Sequence, residues 1–204
     1  MKKSLFIILG CFVTGCTLFP EGEAPLPLYT LKSKACDQTS VLTAPLAIDL
    51  PNCEASLNTQ RIAITLLPYQ RDYMANGQWP DRLPKVIQEV FLDSFSARWG
   101  GVHVNRNEAG LQTTYILSSE IQDFSLYHLE KGCPEVHLKI MMKVVDFKNR
   151  KPLAARVFTE KVSVTSVTMN SIVRGFNEGL EKLLSKTIPW IETAVSGCTL
   201  HESK

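Results

Sequence analysis

The sequence predicts an α+β fold, with a mainly antiparallel sheet and two amphipathic helices packed on one face. Apolar and polar residues alternate over residues 111–164, as expected for strands that bury one side of a sheet. Before and after that region, apolar residues recur at helical spacing. The order of strands, helix, strand meander and helix is typical of α+β domains.

Three short apolar runs predict the strands that precede the first helix. They cover residues 28–31, 46–50 and 61–67, and each ends near Pro, Asn or Gly. Residues 68–74 are expected to form a short edge strand that ends at a turn on Asn76-Gly77.

The first helix is the element with the clearest pattern. Asp81 is a suitable N-cap, Pro84 is tolerated in the first turn, and Gly100-Gly101 is expected to end the helix. The apolar positions that share one face are Leu83, Val86, Ile87, Val90, Phe91 and Phe95.

The meander is predicted to contain three strands and one irregularity. The apolar positions change phase after Ile121, which predicts a bulge near Gln122-Asp123. Turns are expected at residues 131–134 and 148–151, so that the third strand covers about residues 153–164.

The last helix is predicted from about Ser171, and Pro189 is expected to kink or end it. Gly175 and Gly179 form a G-x-x-x-G whose polar neighbours exclude a membrane dimer face. The glycines therefore predict a close approach of this helix to the sheet or to another helix.

The first fifteen residues have the layout of a secretory signal peptide, with Lys2 and Lys3 before a short apolar run. That run is too short to span a bilayer. Val13-Thr14-Gly15-Cys16 resembles a lipobox, in which small residues precede the cysteine that receives diacylglycerol. We predict a signal peptide over residues 1–15 and a lipid on Cys16; the alternative is a plain signal peptide cleaved nearby.

Residues 16–27 are predicted to be a proline-rich tether, because Pro20, Pro25 and Pro27 prevent helix formation. The folded domain is expected over residues 28–196, followed by a tail over 197–204. The chain has 22 basic and 20 acidic residues, and loss of Lys2 and Lys3 leaves 20 of each. A neutral chain lacks the positive field that nucleic acids require, which excludes that class of partner.

Four cysteines remain in the predicted mature chain besides the lipidated one: Cys36, Cys53, Cys133 and Cys198. An even number in an oxidising compartment predicts disulfides. Four cysteines allow three connectivities. Two bridges are the favoured interpretation, and one bridge with two buried free thiols is the alternative. The absence of a C-x-x-C motif argues against a zinc ribbon or a thioredoxin-like site.

No residues are predicted to be catalytic, because the sequence has no G-x-S-x-G motif and no histidine in a recognisable motif. No cofactor is expected. His128 and His137 are expected to face each other across a hairpin with Cys133 at its tip. Such a pair could bind zinc or copper, and the alternative is two surface histidines. Trp79 precedes the first helix and could line a ligand site or close the core.

The chain resembles the ABC-type transport auxiliary lipoprotein family, which includes the PqiC-like lipoproteins. The resemblance rests on the lipobox, the segment Pro-Leu-Tyr-Thr-Leu at 27–31, the strand that begins at Arg61, and a tyrosine-containing segment before a Trp-x-x-x-Leu helix start. It covers about residues 26–192. Tyr73, Trp79 and Leu83 match the family's motif positions.

The resemblance implies an accessory subunit of a lipid-trafficking system, which docks on an MCE-domain protein or an ABC transporter complex and is anchored in the membrane through its lipid. It also allows self-association into a homo-oligomeric ring. Thr17 follows the acylated cysteine and favours the inner leaflet of the outer membrane, with the domain facing the periplasm. The alternatives are a general envelope-assembly or pilot lipoprotein, and a lipoprotein hydrolase or metal-binding protein.

Overall fold

A long central strand organises the sheet in the computed structural model, which describes residues 25–32, 42, 44–67, 69–107, 112–128 and 133–199. The elements in chain order are β1 (Leu46–Ile48), β2 (Asn52–Cys53), β3 (Arg61–Leu67), β4 (Gln70–Gln78), α1 (Leu83–Trp99), β5 (Val104–Arg106), β6 (Tyr115–Tyr127), β7 (Glu135–Asp146), β8 (Lys151–Ser163) and α2 (Met169–Thr199).

The central strand β6 is paired along both of its edges. One edge pairs with β7, which continues antiparallel to β8. The other edge pairs in turn with β1, β2 and β3, all parallel to β6. Outside them, β5 lies parallel to β1 and β4 lies antiparallel to β3.

The prediction of a mainly antiparallel sheet is therefore wrong, because four of the seven strand pairings in the described part of the chain are parallel. Parallel pairing requires a crossover connection, usually a helix. Helix α1 supplies it, since the chain leaves β3 and β4, passes through α1 and returns as β6. The α+β class and the two helices are as predicted.

The meander β6–β7–β8 is confirmed, including its irregularity. The register passes from Ile121 opposite Ile140 to Asp123 opposite Lys139, which leaves Gln122 as the bulge residue. The bulge keeps both halves of β6 facing the core, because Leu117 and Ile121 before it and Phe124 and Leu126 after it are buried.

Two expectations for the early strands are wrong. Residues 28–31 form a single bridge from Leu28 to Gln78 instead of a strand. Strand β4 continues through Asn76 and Gly77, where a turn was expected. Packing explains Gly77, because a Cβ there would lie 2.5 Å from a ring carbon of Tyr29.

The N-cap of helix α1 lies one residue later than predicted. Arg82 occupies the N-cap position, and Asp81 instead accepts a hydrogen bond from the backbone N–H of Arg82 at 2.7 Å. Pro84 lies in the first turn, as expected. The helix ends at Gly100, whose φ of 86° lies in the left-handed region that glycine favours.

Helix α2 packs tightly on the sheet, as its glycines predicted. A Cβ on Gly175 would lie 2.6 Å from Val164, and one on Gly179 would lie 2.7 Å from Leu138. The helix does not end at Pro189 but continues to Thr199. Burial of Ile191 extends the apolar stripe beyond the proline and stabilises this continuation.

Both helices share one hydrophobic core with the sheet. Trp79 packs edge-on against Phe124 and Phe176, which belong to β6 and α2. At the other end of the helices, the indole N–H of Trp99 donates to Glu192 at 2.9 Å and joins α1 to α2. Neither described helix is long and apolar enough to cross a membrane.

Candidate docking surface

The turn between β3 and β4 exposes an apolar tip, formed by Leu66, Leu67 and Tyr69. The side chain of Tyr69 is fully exposed, and its backbone adopts a φ of 69°. A bulky residue in this left-handed region is strained, and such strain often accompanies function. The tip is therefore a large aromatic and two leucines held in solvent by an uncommon backbone conformation.

The tip lies past the last residue of β6. Thr65 lies opposite Tyr127, the last residue of β6, and its carbonyl accepts a hydrogen bond from the backbone N–H of His128 at 3.0 Å. Leu66 and Leu67 follow Thr65 along β3, past the end of β6. The side chains of the tip therefore lie outside the paired part of β3 and β6.

Arg71 braces the hairpin from the sheet face opposite the helices. Its guanidinium forms an ion pair with Glu54, donates to the hydroxyl of Ser56 and lies 3.8 Å from Asp123. The Nε–H of Arg71 is buried and has no hydrogen-bond partner in the described part of the chain.

Tyr73, one of the family motif positions, fixes the same hairpin. Its hydroxyl donates to the carbonyl of Ser56 at 2.9 Å, and the guanidinium of Arg61 lies 4.0 Å from its ring centroid. The cation–π contact and the hydrogen bond hold the ring between β3 and the loop that follows β2. Tyr73 thus has a positioning role behind the tip.

Asp123 connects this brace to β6. Its carboxylate accepts hydrogen bonds from Ser125 at 2.6 Å and from the phenol of Tyr127 at 3.1 Å. Burial and the nearby Asp123 charge raise the pKa of the Tyr127 phenol, which therefore stays neutral and donates.

A polar cleft of about 460 Å³ lies at the base of the tip. Its lining residues are Glu54, Ser56, Thr65, Tyr69, Gln70, Arg71 and Tyr127. The cleft combines an aromatic ring with hydroxyls, carboxylate and guanidinium, a composition suited to hydrogen-bonded recognition of a polypeptide.

The predicted histidine pair does not form. His137 lies opposite Ser125, whereas His128 follows the last residue of β6, so the two do not face each other. The ring of His137 stacks on Tyr127 with centroids 3.9 Å apart, and its Nε2 lies 3.1 Å from Glu135. This hydrogen bond lowers the pKa of Glu135. Among the described residues, no three His, Cys, Asp or Glu side chains are placed to hold a metal.

The remaining motif positions lie in the core. Trp79 and Leu83 are almost completely buried. The backbone N–H of Trp79 donates to Gln60 at 2.7 Å, and that of Leu83 donates to Thr59 at 3.1 Å. These contacts fix the approach from β4 to α1, and the ring of Trp79 packs in the core against Phe124 and Phe176.

The described side chains include two of the four cysteines of the predicted bridges, and no disulfide forms among them. Cys53, on β2, and Cys133, before β7, are both free thiols. Burial raises the pKa of the Cys53 thiol and favours its unreactive protonated form. Cys36 and the side chain of Cys198 lie outside the described residues.

The predicted lipidation site also lies outside the described residues. It comprises Cys16 and the lipobox residues Val13, Thr14 and Gly15, so the lipid anchor stays a prediction.

The alternation of apolar residues did not indicate the docking tip. The available signal is the departure from alternation at Leu66-Leu67, directly before Pro68 and Tyr69. Successive side chains of a strand point to opposite faces, so one of two adjacent apolar residues at the end of an exposed hairpin faces away from the core in either register.

Solved structures share the fold. A crystal structure of protein XCC0632 from Xanthomonas campestris superposes with a TM-score of 0.71 at 15% identity, and the match covers 86% of this chain and 98% of that one. A second crystal structure, of an uncharacterized protein, matches with a TM-score of 0.62 at 13% identity over 80% of this chain and 99% of that one. At these identities the likeness concerns the fold alone.

One curated relative is an uncharacterized protein of Bradyrhizobium diazoefficiens. It is 28% identical over 155 residues, which are 76% of this chain. The chain spans only 41% of the length of that relative.

The model of the family described as the ABC-type transport auxiliary lipoprotein component matches residues 29–187, which include the tip, its brace, α1 and the greater part of α2. That description denotes a lipoprotein of the cell envelope that assists a transporter, and it does not denote a class of enzymes. The chain therefore belongs to the ABC-type transport auxiliary lipoprotein family.

Proposed function

We propose that the chain is an accessory subunit of an MCE/ABC-type lipid-transport system, which acts by docking and scaffolding in envelope lipid trafficking and membrane integrity. A lipid on Cys16 would hold it at the inner leaflet of the outer membrane, with the folded domain facing the periplasm. The partner would be an MCE-domain protein or the ABC transporter complex. A homo-oligomeric ring of this chain would be one form of such a scaffold.

The exposed β3–β4 tip is the observation that carries the docking role. Binding energy at protein interfaces is concentrated in a few anchors, often tyrosine, that are surrounded by weaker contacts. Tyr69 presents its whole side chain to solvent beside Leu67, which is 46% exposed. Covering these side chains with a partner would remove apolar surface from water and so favour association.

The brace behind the tip supports the same role. Side chains that are ordered before binding lose less conformational entropy on association. The contacts of Arg71 with Glu54 and Ser56, and of Tyr73 with the Ser56 backbone, fix the hairpin in the free protein.

Co-purification of the full-length lipidated protein from native membranes tests this proposal. We expect the wild-type chain to recover an MCE-domain protein or ABC transporter subunits. The double variant Leu67→Ser/Tyr69→Ser should lose most of this recovery, because it removes the exposed anchor without opening the core. Recovery of neither partner class by the wild-type protein would contradict the proposal.

Leu50→Ser is a control variant, since Leu50 is 56% exposed and lies between β1 and β2, which pair with β6 several residues before the tip. It should recover the partner as the wild type does. If a pilot or assembly partner were recovered in place of transport proteins, the docking surface would stand but the transport role would fail.

A further inference from the structure

The hairpin formed by β7 and β8 carries an excess of positive charge. Residues 135–163 contain seven basic and three acidic side chains, a formal charge of +4. The predicted mature chain has 20 basic and 20 acidic residues, so the rest of it carries −4. The formal net charge of zero is therefore the sum of a positively charged hairpin and a negatively charged remainder of the chain.

The turn of this hairpin, residues 147–151, concentrates the charge. Lys148, Arg150 and Lys151 are all exposed, and Phe147 is 38% exposed beside them. The guanidinium of Arg150 lies 5.0 Å from the Phe147 ring centroid. We call residues 147–151 the basic turn.

The basic turn is held in one shape by its own hydrogen bonds. The carboxylate of Asp146 accepts from the backbone N–H of Asn149 at 2.9 Å and from its amide at 3.0 Å. The backbone N–H of Phe147 donates to Thr114 at 2.9 Å. Arg150 has a φ of 54°, the left-handed conformation that closes the turn. The acidic residue thus stabilises the turn backbone, while the basic side chains lie in solvent.

An exposed apolar residue lies at the same end of the domain. Tyr115 begins β6 and pairs with both Asp146 and Leu46, and the backbone N–H of Leu46 donates to His103. Val102, the residue before His103, is 84% exposed. Basic side chains that share one end of a domain with exposed Phe and Val are a combination that binds at the surface of an anionic bilayer.

We propose that the basic turn is a second, electrostatic contact between the domain and a bilayer surface that contains anionic phospholipid. Three Lys or Arg side chains near such a surface strengthen binding by on the order of 100-fold. The contact would lie at the end of β6 opposite the docking tip. It would orient the domain with the tip directed away from that bilayer, whatever protein the tip binds.

The length of the tether is compatible with this contact. The tether joins the domain beside Gln78, which forms a bridge with Leu28. Gln78 pairs with Arg61, and Arg61 lies at about the level of Asp123 on β6. From there to Tyr115 is roughly 26 Å along the strand. The residues between Cys16 and Pro25 can span up to about 30 Å. If Cys16 carries the lipid, the anchor and the basic turn can therefore reach the same bilayer.

Co-sedimentation of the mature chain without its lipid, residues 17–204, tests the proposal on vesicles of phosphatidylcholine with and without phosphatidylglycerol. The described core lies between Leu31 and Val195, so this form retains all of it. We expect binding to the phosphatidylglycerol vesicles that is on the order of 100-fold tighter than to phosphatidylcholine alone and that weakens with added salt. Lys148→Glu/Arg150→Glu/Lys151→Glu should abolish the difference.

The matched control is Arg82→Glu/Arg174→Glu/Lys182→Glu, which changes the net charge equally at exposed positions elsewhere. It should retain most of the binding. Circular dichroism establishes that each variant is folded, and the neutral variant Lys148→Gln/Arg150→Gln/Lys151→Gln should also lose the binding. Equal binding to both vesicle types, equal loss in both charge-reversed variants, or binding to polyglutamate but not to the anionic vesicles would each overturn the proposal.

Discussion

The β3–β4 tip and the basic turn lie at opposite ends of β6. Each contains a residue in the left-handed backbone conformation, but the two sites expose different chemical groups. Thr65, before the tip, pairs with the last residue of β6, and Asp146, before the turn, pairs with its first residue. Tyr69 and Arg150 are the non-glycine residues with positive φ in the described part of the chain, one at each site. One end presents an aromatic ring and leucines, and the other presents cations.

The two ends also differ in how they are supported. The tip is supported by a polar network that joins β4, the loop after β2 and β6 through Arg71 and Asp123. The basic turn depends mainly on hydrogen bonds made by its own Asp146 and Asn149. A protein contact requires a fixed surface, whereas attraction to a charged bilayer is less dependent on the position of each atom.

Removal of Arg71 should produce the largest difference between the ends. Arg71→Ala is expected to lower the free energy of unfolding by about 2 kcal/mol, because the largely buried Asp123 carboxylate loses its cationic neighbour. Lys148→Ala at the basic turn should change it by less than about 0.5 kcal/mol. Urea unfolding of both variants and of the wild type measures these free energies. Equal decreases in the two variants would show that the network around Arg71 does not stabilise the tip more than the basic turn is stabilised.

Substitution by glycine at Tyr69 and at Arg150 should show how much backbone strain each residue adds to the folded state. Tyr69→Gly is expected to raise the free energy of unfolding by about 0.5 kcal/mol, since relief of strain exceeds the entropy that glycine adds to the unfolded chain. Arg150→Gly should be about neutral, because it also gives up a cation–π contact of roughly 0.5 kcal/mol. Urea unfolding measures both effects.

The two glycine variants should have opposite effects on partner recovery and on vesicle binding. Tyr69→Gly should weaken partner recovery and leave vesicle binding unchanged, while Arg150→Gly should weaken vesicle binding and leave partner recovery unchanged. A variant that weakened both properties would indicate that the two ends are not independent surfaces.

The sequence predicted the elements better than it predicted how they are paired. The bounds of β3, the apolar face of α1 and the bulge at Gln122 follow from local patterns and agree with the structure. The parallel pairing of β1 with β6 joins segments that are far apart in the chain, and alternation within each segment does not specify such a partner. The turn expected at Asn76-Gly77 failed for a related reason, because contact with the distant Tyr29 explains the glycine.

The candidate sites were less predictable than the fold. Tyr73 and Trp79 were identified as motif positions, but their different roles, one behind the tip and one in the core, depend on which side of the sheet each side chain occupies. Arg71 carries no local signal, since its importance arises from Glu54 and Asp123, which belong to other elements. The charge of the β7–β8 hairpin is visible in the sequence, but only the fold places it opposite the tip.

The smallest expected effect is a difference in how the two ends respond to pH. At the tip, the pKa of Tyr127 is raised by burial and then by the Asp123 charge, so its folded-state pKa lies above the unfolded value. Its contribution to stability is present below the ordinary tyrosine pKa of about 10 and is lost as pH rises through the folded value. At the basic turn, the hydrogen bond from the Asn149 backbone lowers the pKa of Asp146. That contribution is present above the ordinary carboxyl range and is lost as pH falls through the folded value.

Urea unfolding of the wild type, Tyr127→Phe and Asp146→Asn across pH measures these opposite responses. The wild type should lose stability relative to Tyr127→Phe at alkaline pH, because that variant lacks the phenol of residue 127, whose ionisation the folded state opposes. It should lose its advantage over Asp146→Asn at acid pH, because protonation removes the charge that the turn stabilises. If both differences changed over the same pH range, the two ends would not be supported by the separate networks described above.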